Sequence, residues 1–194
     1  MRRFWTMLAH QHGRLWNASQ LGRALGLSDK TVRSYLDILT DTFMIRQVQP
    51  WYANVGKRQV KSPKIYLRDS GLLHALLDLP DKDALLGHPV VGAAWEGFAF
   101  EQIVRMSRIN APYFWGTYGG AELDLLFRHR GKWIGVEFKF SDAPAMTKSM
   151  HAALDTLKLA ALWIVAPVER RYPINPHVEV CPLGVWCRER LYRE

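Results

Sequence analysis

Asp124, Glu137 and Lys139 are the side chains whose types and spacing suit chemistry. Asp124 sits in the run Ala121-Glu122-Leu123-Asp124-Leu125-Leu126-Phe127. Glu137 and Lys139 sit in Val136-Glu137-Phe138-Lys139-Phe140. Both runs have strand length and strand character. Alternation puts Ala121, Leu123, Leu125 and Phe127 on one face of the first strand and Glu122, Asp124 and Leu126 on the other. In the second strand it puts Ile134, Val136, Phe138 and Phe140 on one face and Trp133, Gly135, Glu137 and Lys139 on the other. On neighbouring strands, Asp124, Glu137 and Lys139 converge. Two carboxylates supply the oxygen ligands that Mg2+ or Mn2+ takes. Such an ion lowers the pKa of bound water and shields the charge that builds on a phosphate under attack. An ammonium beside it stabilises the pentavalent state. Asp124 and Glu137 are therefore candidate metal ligands, and the chemistry is phosphodiester hydrolysis. Gly135 is expected to let a ligand backbone come close. The plainer alternative is an antiparallel sheet with acids on its wet face and Glu137 paired with Lys139 for solubility.

A helix expected over 91–107 offers a further acid. Trp95, Phe98, Gln102 and Met106 trace its expected buried face. Glu101, four residues before Arg105, reads as part of a solvated ion-pair face. Glu96 shares a stripe with Phe100 and Ile103, where a carboxylate needs a partner. It is expected to complete the metal shell as a fourth catalytic residue. As a strained acid, its change to Gln should alter stability little or raise it.

The elements that must hold these groups are a helix over 91–107, strands over 112–118, 121–127 and 132–140, a helix over 145–158 and a buried strand over 161–168. The tail, 178–183 and 185–186, reads as an edge strand or hairpin. This is an α/β core occupying a domain of 85–194, within a fold that is α+β overall.

A different domain is expected over 1–84. Asn17-Ala18-Ser19-Gln20-Leu21 opens a short helix capped by Ser19 or Asn17. Gly26-Leu27-Ser28 turns the chain, and Ser28 caps a second helix over 29–42 with Val32, Tyr35, Leu36 and Leu39 at helical spacing. Lys30, Thr31, Arg33 and Ser34 cluster near its start. Two short helices joined by a tight turn read as helix-turn-helix. An extended stretch over 44–49 and a strand at 65–67 add a hairpin, making a winged helix. The connecting segment from Trp51 to Lys64 carries Lys57, Arg58, Lys61 and Lys64 and no acid. Lys30, Arg33 and these four residues are candidate phosphate contacts. Trp51 and Tyr52 read either as stacking platforms or as hinge packing.

Charge follows the same division. The 194 residues carry 26 Lys plus Arg and 18 Asp plus Glu, a net of +8. Residues 1–90 hold 13 basic and 7 acidic residues, and residues 91–194 hold 13 and 11, so the first half carries +6 and the second +2. A basic first half points to a polyanion, nucleic acid foremost. No run is long enough to span a membrane and no signal-peptide core follows the basic start, so a cytoplasmic location is expected. Cys181 and Cys187 are too few for a disulfide framework or zinc finger.

These residues resemble a known family. Asp29-Lys30-Thr31-Val32-Arg33-Ser34-Tyr35-Leu36, Lys57-Arg58, Lys61-Ser62-Pro63-Lys64-Ile65-Tyr66 and Asp69-Ser70-Gly71-Leu72-Leu73 look like the DUF4143 family. So do Trp95-Glu96, Gly120-Ala121-Glu122-Leu123-Asp124-Leu125-Leu126 and Glu137-Phe138-Lys139. In that family the region usually follows an AAA+-type ATPase domain, and its second half is similar to the PD-(D/E)XK nuclease superfamily. The resemblance implies a winged helix followed by a restriction-endonuclease-like core. It makes Glu96 the helix acid, Asp124 the strand acid, and Glu137 with Lys139 the Glu-x-Lys pair. An AAA+-type ATPase domain, in cis or in trans, is the implied partner beside DNA. The sequence holds no G-x-x-x-x-G-K-[ST], so no P-loop ATP site is expected in this chain. Three functions are thus in view: a magnesium-dependent DNA nuclease, a non-catalytic DNA-binding module serving an ATPase, and a protein-interaction module.

Overall fold

The computed structural model describes residues 2–52 and 60–189. Lys57 and Arg58 lie outside the described residues. Contacts divide the chain into two units: residues 1–48 with 62–98, and residues 49–61 with 99–194. This differs from the linear division near residue 84 expected from the sequence.

The first unit begins with a helix that the sequence reading does not anticipate, α1 (Arg2–His10). Phe4 and Leu8 lie four apart in it and both are buried. After the short strand β1 (Arg14–Leu15) come α2 (Ala18–Leu25) and α3 (Asp29–Asp41). Asn17 caps α2 by accepting from the Gln20 amide at 3.0 Å, and Ser28 caps α3 by accepting from the Thr31 amide at 3.1 Å. Gly26 ends α2 with φ at +69°, a left-handed conformation that costs glycine least. The Ser19 hydroxyl donates to Asp29 at 2.6 Å across this turn. Then follow β2 (Ile45–Pro50), β3 (Lys64–Leu67), α4 (Ser70–Leu76) and α5 (Lys82–Leu86). Both β1 and β2 pair antiparallel with β3. The core gathers Phe4 and Leu8 from α1, Leu21 from α2, Val32, Leu36 and Leu39 from α3, and Ile45, Ile65 and Leu67 from the strands.

Helix α6 (Val91–Ser107) contributes residues up to Phe98 to the first unit and from Ala99 to the second. Its buried face is not the expected one. Phe98 and Met106 are 42% and 46% exposed, while Ala94, Ala99, Phe100, Glu101, Ile103 and Val104 are buried. Large side chains are a poor guide to a buried face where small ones let the backbone approach.

The second unit continues with β4 (Tyr113–Gly116), β5 (Glu122–His129), β6 (Lys132–Phe138), α7 (Lys148–Leu157), β7 (Ala161–Val165), β8 (Tyr172–Asn175), β9 (Val178–Cys181) and α8 (Leu183–Glu189). The sheet order is β4-β5-β6-β7-β9-β8, with Gln49 and Pro50 pairing parallel to β4. Pairs β4–β5, β5–β6 and β8–β9 are antiparallel; β6–β7 and β7–β9 are parallel. Parallel neighbours need a crossover, which α7 supplies between β6 and β7. Met150, Ala153 and Leu157 of α7 pack with Leu123, Leu126, Leu162 and Ile164. The expected edge strand at 185–186 is instead helical. The Val185 and Trp186 amides donate to the Pro182 carbonyl, and Trp186 buries fully against Trp163 with ring centres 5.2 Å apart. The whole is a mixed α/β protein. Among the described residues, no helix is long and apolar enough to cross a membrane.

Gly135 is closed in by the core and is not open to a ligand. A Cβ placed there would meet Leu159 at 2.7 Å, Leu123 at 3.0 Å and Leu162 at 3.1 Å. Gly135→Ala should therefore destabilise the protein by about 1–3 kcal/mol, the usual cost of overpacking. Urea unfolding of the variant against the parent checks this.

Candidate functional site

The acids are placed by an irregularity in β5. Leu123 and Leu126 join the same core although they are three residues apart, which strict alternation forbids. The β4–β5 register shifts between the Tyr113↔Leu126 and Trp115↔Leu123 pairs, so the ladder carries a bulge there. Asp124 lies inside it. Bulges re-aim side chains and leave a backbone group without its ladder partner. Here the Asp124 Oδ2 accepts from the Phe138 amide at 3.0 Å, so the carboxylate takes over a ladder position on β6. The face assignment expected for Asp124 and Leu126 thus gives way to a bulged geometry.

Glu137 is the neighbour of Phe138 on β6, paired in register with Ile164 of β7. Lys139 follows, its amide donating to the Val165 carbonyl at 3.0 Å. The Lys139 Nζ stands 2.7 Å from the Glu137 Oε1. Asp124 and Glu137 are 7% and 5% exposed, while the Lys139 side chain is 37% exposed. Two buried carboxylates thus lie on adjoining strands, with one cation reaching out to solvent.

The remaining expected residues lie elsewhere. The Glu96 Oε1 accepts from the Lys64 Nζ at 3.0 Å and from the Tyr66 hydroxyl, all three belonging to the first unit. Lys64, expected on a phosphate-contacting wing, is 3% exposed and holds its charge on Glu96. Lys30, Arg33 and Lys61 are exposed. Trp51 packs on Tyr113 and Trp133 within the second unit, with ring centres 5.2 and 4.4 Å apart. Tyr52 is 52% exposed.

Glu101, expected in solvent, is 4% exposed. The signal that could have found it is the company it keeps within two turns: Ala94, Gly97, Phe100 and Val104 are apolar, and Arg105 is only one neighbour. Among the described residues, no group of three or more His, Cys, Asp or Glu side chains is arranged to hold a metal ion. Asp124 and Glu137 remain as a pair of buried carboxylates on adjoining strands. The chemistry of that pair still fits a hard cation with water in its other positions, since Mg2+ is commonly bound through one or two carboxylates. Of the two cysteines, Cys181 is buried, which pushes its thiol up to about 12 and leaves it inert.

His12 is a buried polar group that no pattern in the sequence singles out. Its Nδ1 accepts from the Leu67 amide at 3.0 Å and its ring meets Tyr66 edge-on. Burial lowers its pKa from 6.5 to about 4.

Comparison with known proteins gives matches to both halves. Residues 1–83 match the model of a domain of unknown function, DUF8612, and residues 91–186 match that of another, DUF4143. Two curated mycobacterial proteins are each 48% identical over 182 residues: "Uncharacterized protein Mb2031c" of Mycobacterium bovis and "Uncharacterized protein Rv2008c" of Mycobacterium tuberculosis. The alignments cover 94% of this chain and 41% of each relative, so the chain spans about two fifths of their length. No solved structure matches.

The Lys64–Glu96–Tyr66 cluster reverses the stability expectation for Glu96. Glu96→Leu leaves the Lys64 ammonium buried without its carboxylate, which should cost roughly 3–5 kcal/mol in urea unfolding. Glu96→Gln should also lose stability, by a smaller amount. His12 sets an acid limit on the fold. Its pKa is depressed, so the unfolded chain binds the extra proton between pH 6.5 and 4. Stability from this group is complete above pH 6.5 and drains as pH falls toward 4, by roughly 3 kcal/mol in all. His12→Asn keeps an acceptor for Leu67 but cannot titrate. Its unfolding free energy should depend less on pH over that window than the parent's.

Proposed function

Through residues 91–186 this chain belongs to the DUF4143 family, and on that footing we propose that it is a DNA-binding protein whose second unit hydrolyses phosphodiesters with Mg2+ or Mn2+. The observation that carries the reading is the Lys139–Glu137 contact at 2.7 Å beside the bulge-held Asp124. The element order helix α6, strands β4 to β6, helix α7, strand β7 supports a PD-(D/E)XK-like core. In this reading Asp124 and Glu137 present oxygens to the cation. When bound, the cation neutralises phosphate charge and lowers the pKa of a water. Water oxygen would attack phosphorus and give up a proton to solvent as one P–O ester bond breaks, and the departing oxygen would gain a proton from solvent. Lys139, the partly exposed member, turns from Glu137 to a phosphate oxygen and stabilises its added charge.

The first unit supports DNA contact. Its order α1-β1-α2-α3-β2-β3, with β1 added to the β2–β3 hairpin, favours the winged-helix reading. Lys30 and Arg33 are exposed near the N-terminus of α3. Phosphate contacts from these residues bring the duplex without reading its sequence. The family resemblance adds an AAA+-type ATPase domain, in cis or in trans, as the partner that moves or loads the DNA.

A second reading has its own observation. No three-carboxylate cluster is present among the described residues, and Lys139 already neutralises Glu137. A nuclease-like fold reused as a scaffold would look like this. The protein would then bind DNA, or a protein partner, without cutting and regulate the ATPase.

Cleavage assays separate the two. With Mg2+ or Mn2+, the protein should nick or cut DNA, and Asp124→Asn and Lys139→Ala should each abolish the cut while circular dichroism stays unchanged. Cleavage at the parental rate by both variants would exclude this site, and no cleavage by the parent would favour the scaffold. For binding, Lys30→Ala with Arg33→Ala should weaken affinity for all DNA sequences alike and lower the salt slope by about 1 for each phosphate no longer neutralised. An unchanged slope would leave α3 out of the interface.

A further inference from the structure

The β5–β6 hairpin carries a second feature at the end away from the acids. A cavity of about 350 Å³ opens there within the second unit. One side is aromatic: Trp51, Tyr113 and Trp133 form it, with Trp51 tilted against Trp133 at 4.4 Å. The other chemistry is basic. Arg108, Arg128 and His129 line the cavity, and no acidic residue does among those described. Local backbone structure places both arginines. Arg108 sits at the C-terminal turn of α6 with φ at +52°, and the next amide, from Ile109, closes back on the Val104 carbonyl at 3.1 Å. Arg128 donates to the Gly131 carbonyl at 3.3 Å across the hairpin turn, with its guanidinium 5.2 Å from the centre of the Trp133 ring. Trp133 is four residues from Glu137 along β6, roughly 13 Å of strand, so the cavity is separate from the acid pair.

A wall of aromatic rings with a guanidinium beside it favours a flat π-system. Two guanidinium groups with no carboxylate in the lining favour an anion, and arginine suits phosphate through paired donors. The volume lies in the range of small-molecule pockets. We propose that this cavity binds one nucleotide unit, its base against the Trp51–Trp133 wall and its phosphate on Arg108 and Arg128. The inference stands on the cavity alone and does not require the acid pair to cut.

Free nucleotide and the phosphorylated end of a strand share this chemistry. Calorimetric titration in EDTA, where no cleavage occurs, tests the site with deoxyadenosine 5′-monophosphate, deoxyadenosine, inorganic phosphate and a short oligonucleotide with or without a 5′-phosphate. The monophosphate should bind, and deoxyadenosine and phosphate should each bind at least about tenfold more weakly. Arg108→Ala and Arg128→Ala, both exposed positions, should each weaken binding by about tenfold with unchanged circular dichroism. A phosphorylated oligonucleotide that binds more tightly than the monophosphate, and loses that advantage without its phosphate, identifies a strand end as the source. The reverse order identifies free nucleotide. No binding of the monophosphate at millimolar concentration would overturn the proposal. So would arginine variants that bind as the parent does, or phosphate binding as tightly as the monophosphate.

Discussion

A carboxylate inside a sheet has to be paired, because removing a charge from water costs several kcal/mol that packing does not return. The second unit meets this constraint twice on adjoining strands. Glu137 takes the Lys139 ammonium at 2.7 Å, and Asp124 takes the Phe138 amide at 3.0 Å. The two solutions differ in what they leave available. A backbone amide holds Asp124, whereas the partner of Glu137 is a partly exposed lysine. In the proposed reading, that exposed counter-charge is what a divalent ion would replace. The first unit meets the constraint a third time, with Lys64 and Tyr66 on Glu96. There the cation itself is buried, and the cluster is structural.

Position along β5 and β6 then divides the labour in the second unit. The bulge near Leu123 and Leu126 sets the orientation of Asp124, and the parallel pairing of β6 with β7 holds Glu137 opposite Ile164. At the hairpin end the turn brings Arg128 over Trp133. An apolar layer of Leu123, Leu126, Leu159 and Leu162 fills the space between sheet and α7, closing around Gly135. The hairpin is therefore rigid between two polar ends, a property that suits positioning better than movement.

The kind and order of elements were legible in the sequence near strong local signals. Caps at Ser28 and Asn17, the turn at Gly26 and the alternating runs around Asp124 and Glu137 all have causes within a few residues. Features that depend on packing were concealed. Helix α6 hides its face because Gly97 and Ala94 carry little hydrophobic signal, whereas Trp95 and Phe98 carry much; that misreading sent Glu101 to solvent. Lys64 looked like a wing cation because its burial partner lies 32 residues away. The bulge in β5 leaves no local mark, since Leu125-Leu126 fits either face. Trp186 reads equally well as strand or helix until Trp163 is there to receive it.

The proposed activity depends most directly on Asp124 and Glu137 sharing one exchangeable cation position. Titration with Mn2+, followed by electron paramagnetic resonance on the parent protein and on Asp124→Asn, tests this without needing a substrate. A shared position predicts loss of free Mn2+ signal with the parent, competed by Mg2+, and little loss with the variant. Equal Mn2+ uptake by both proteins, or none by either, would contradict it.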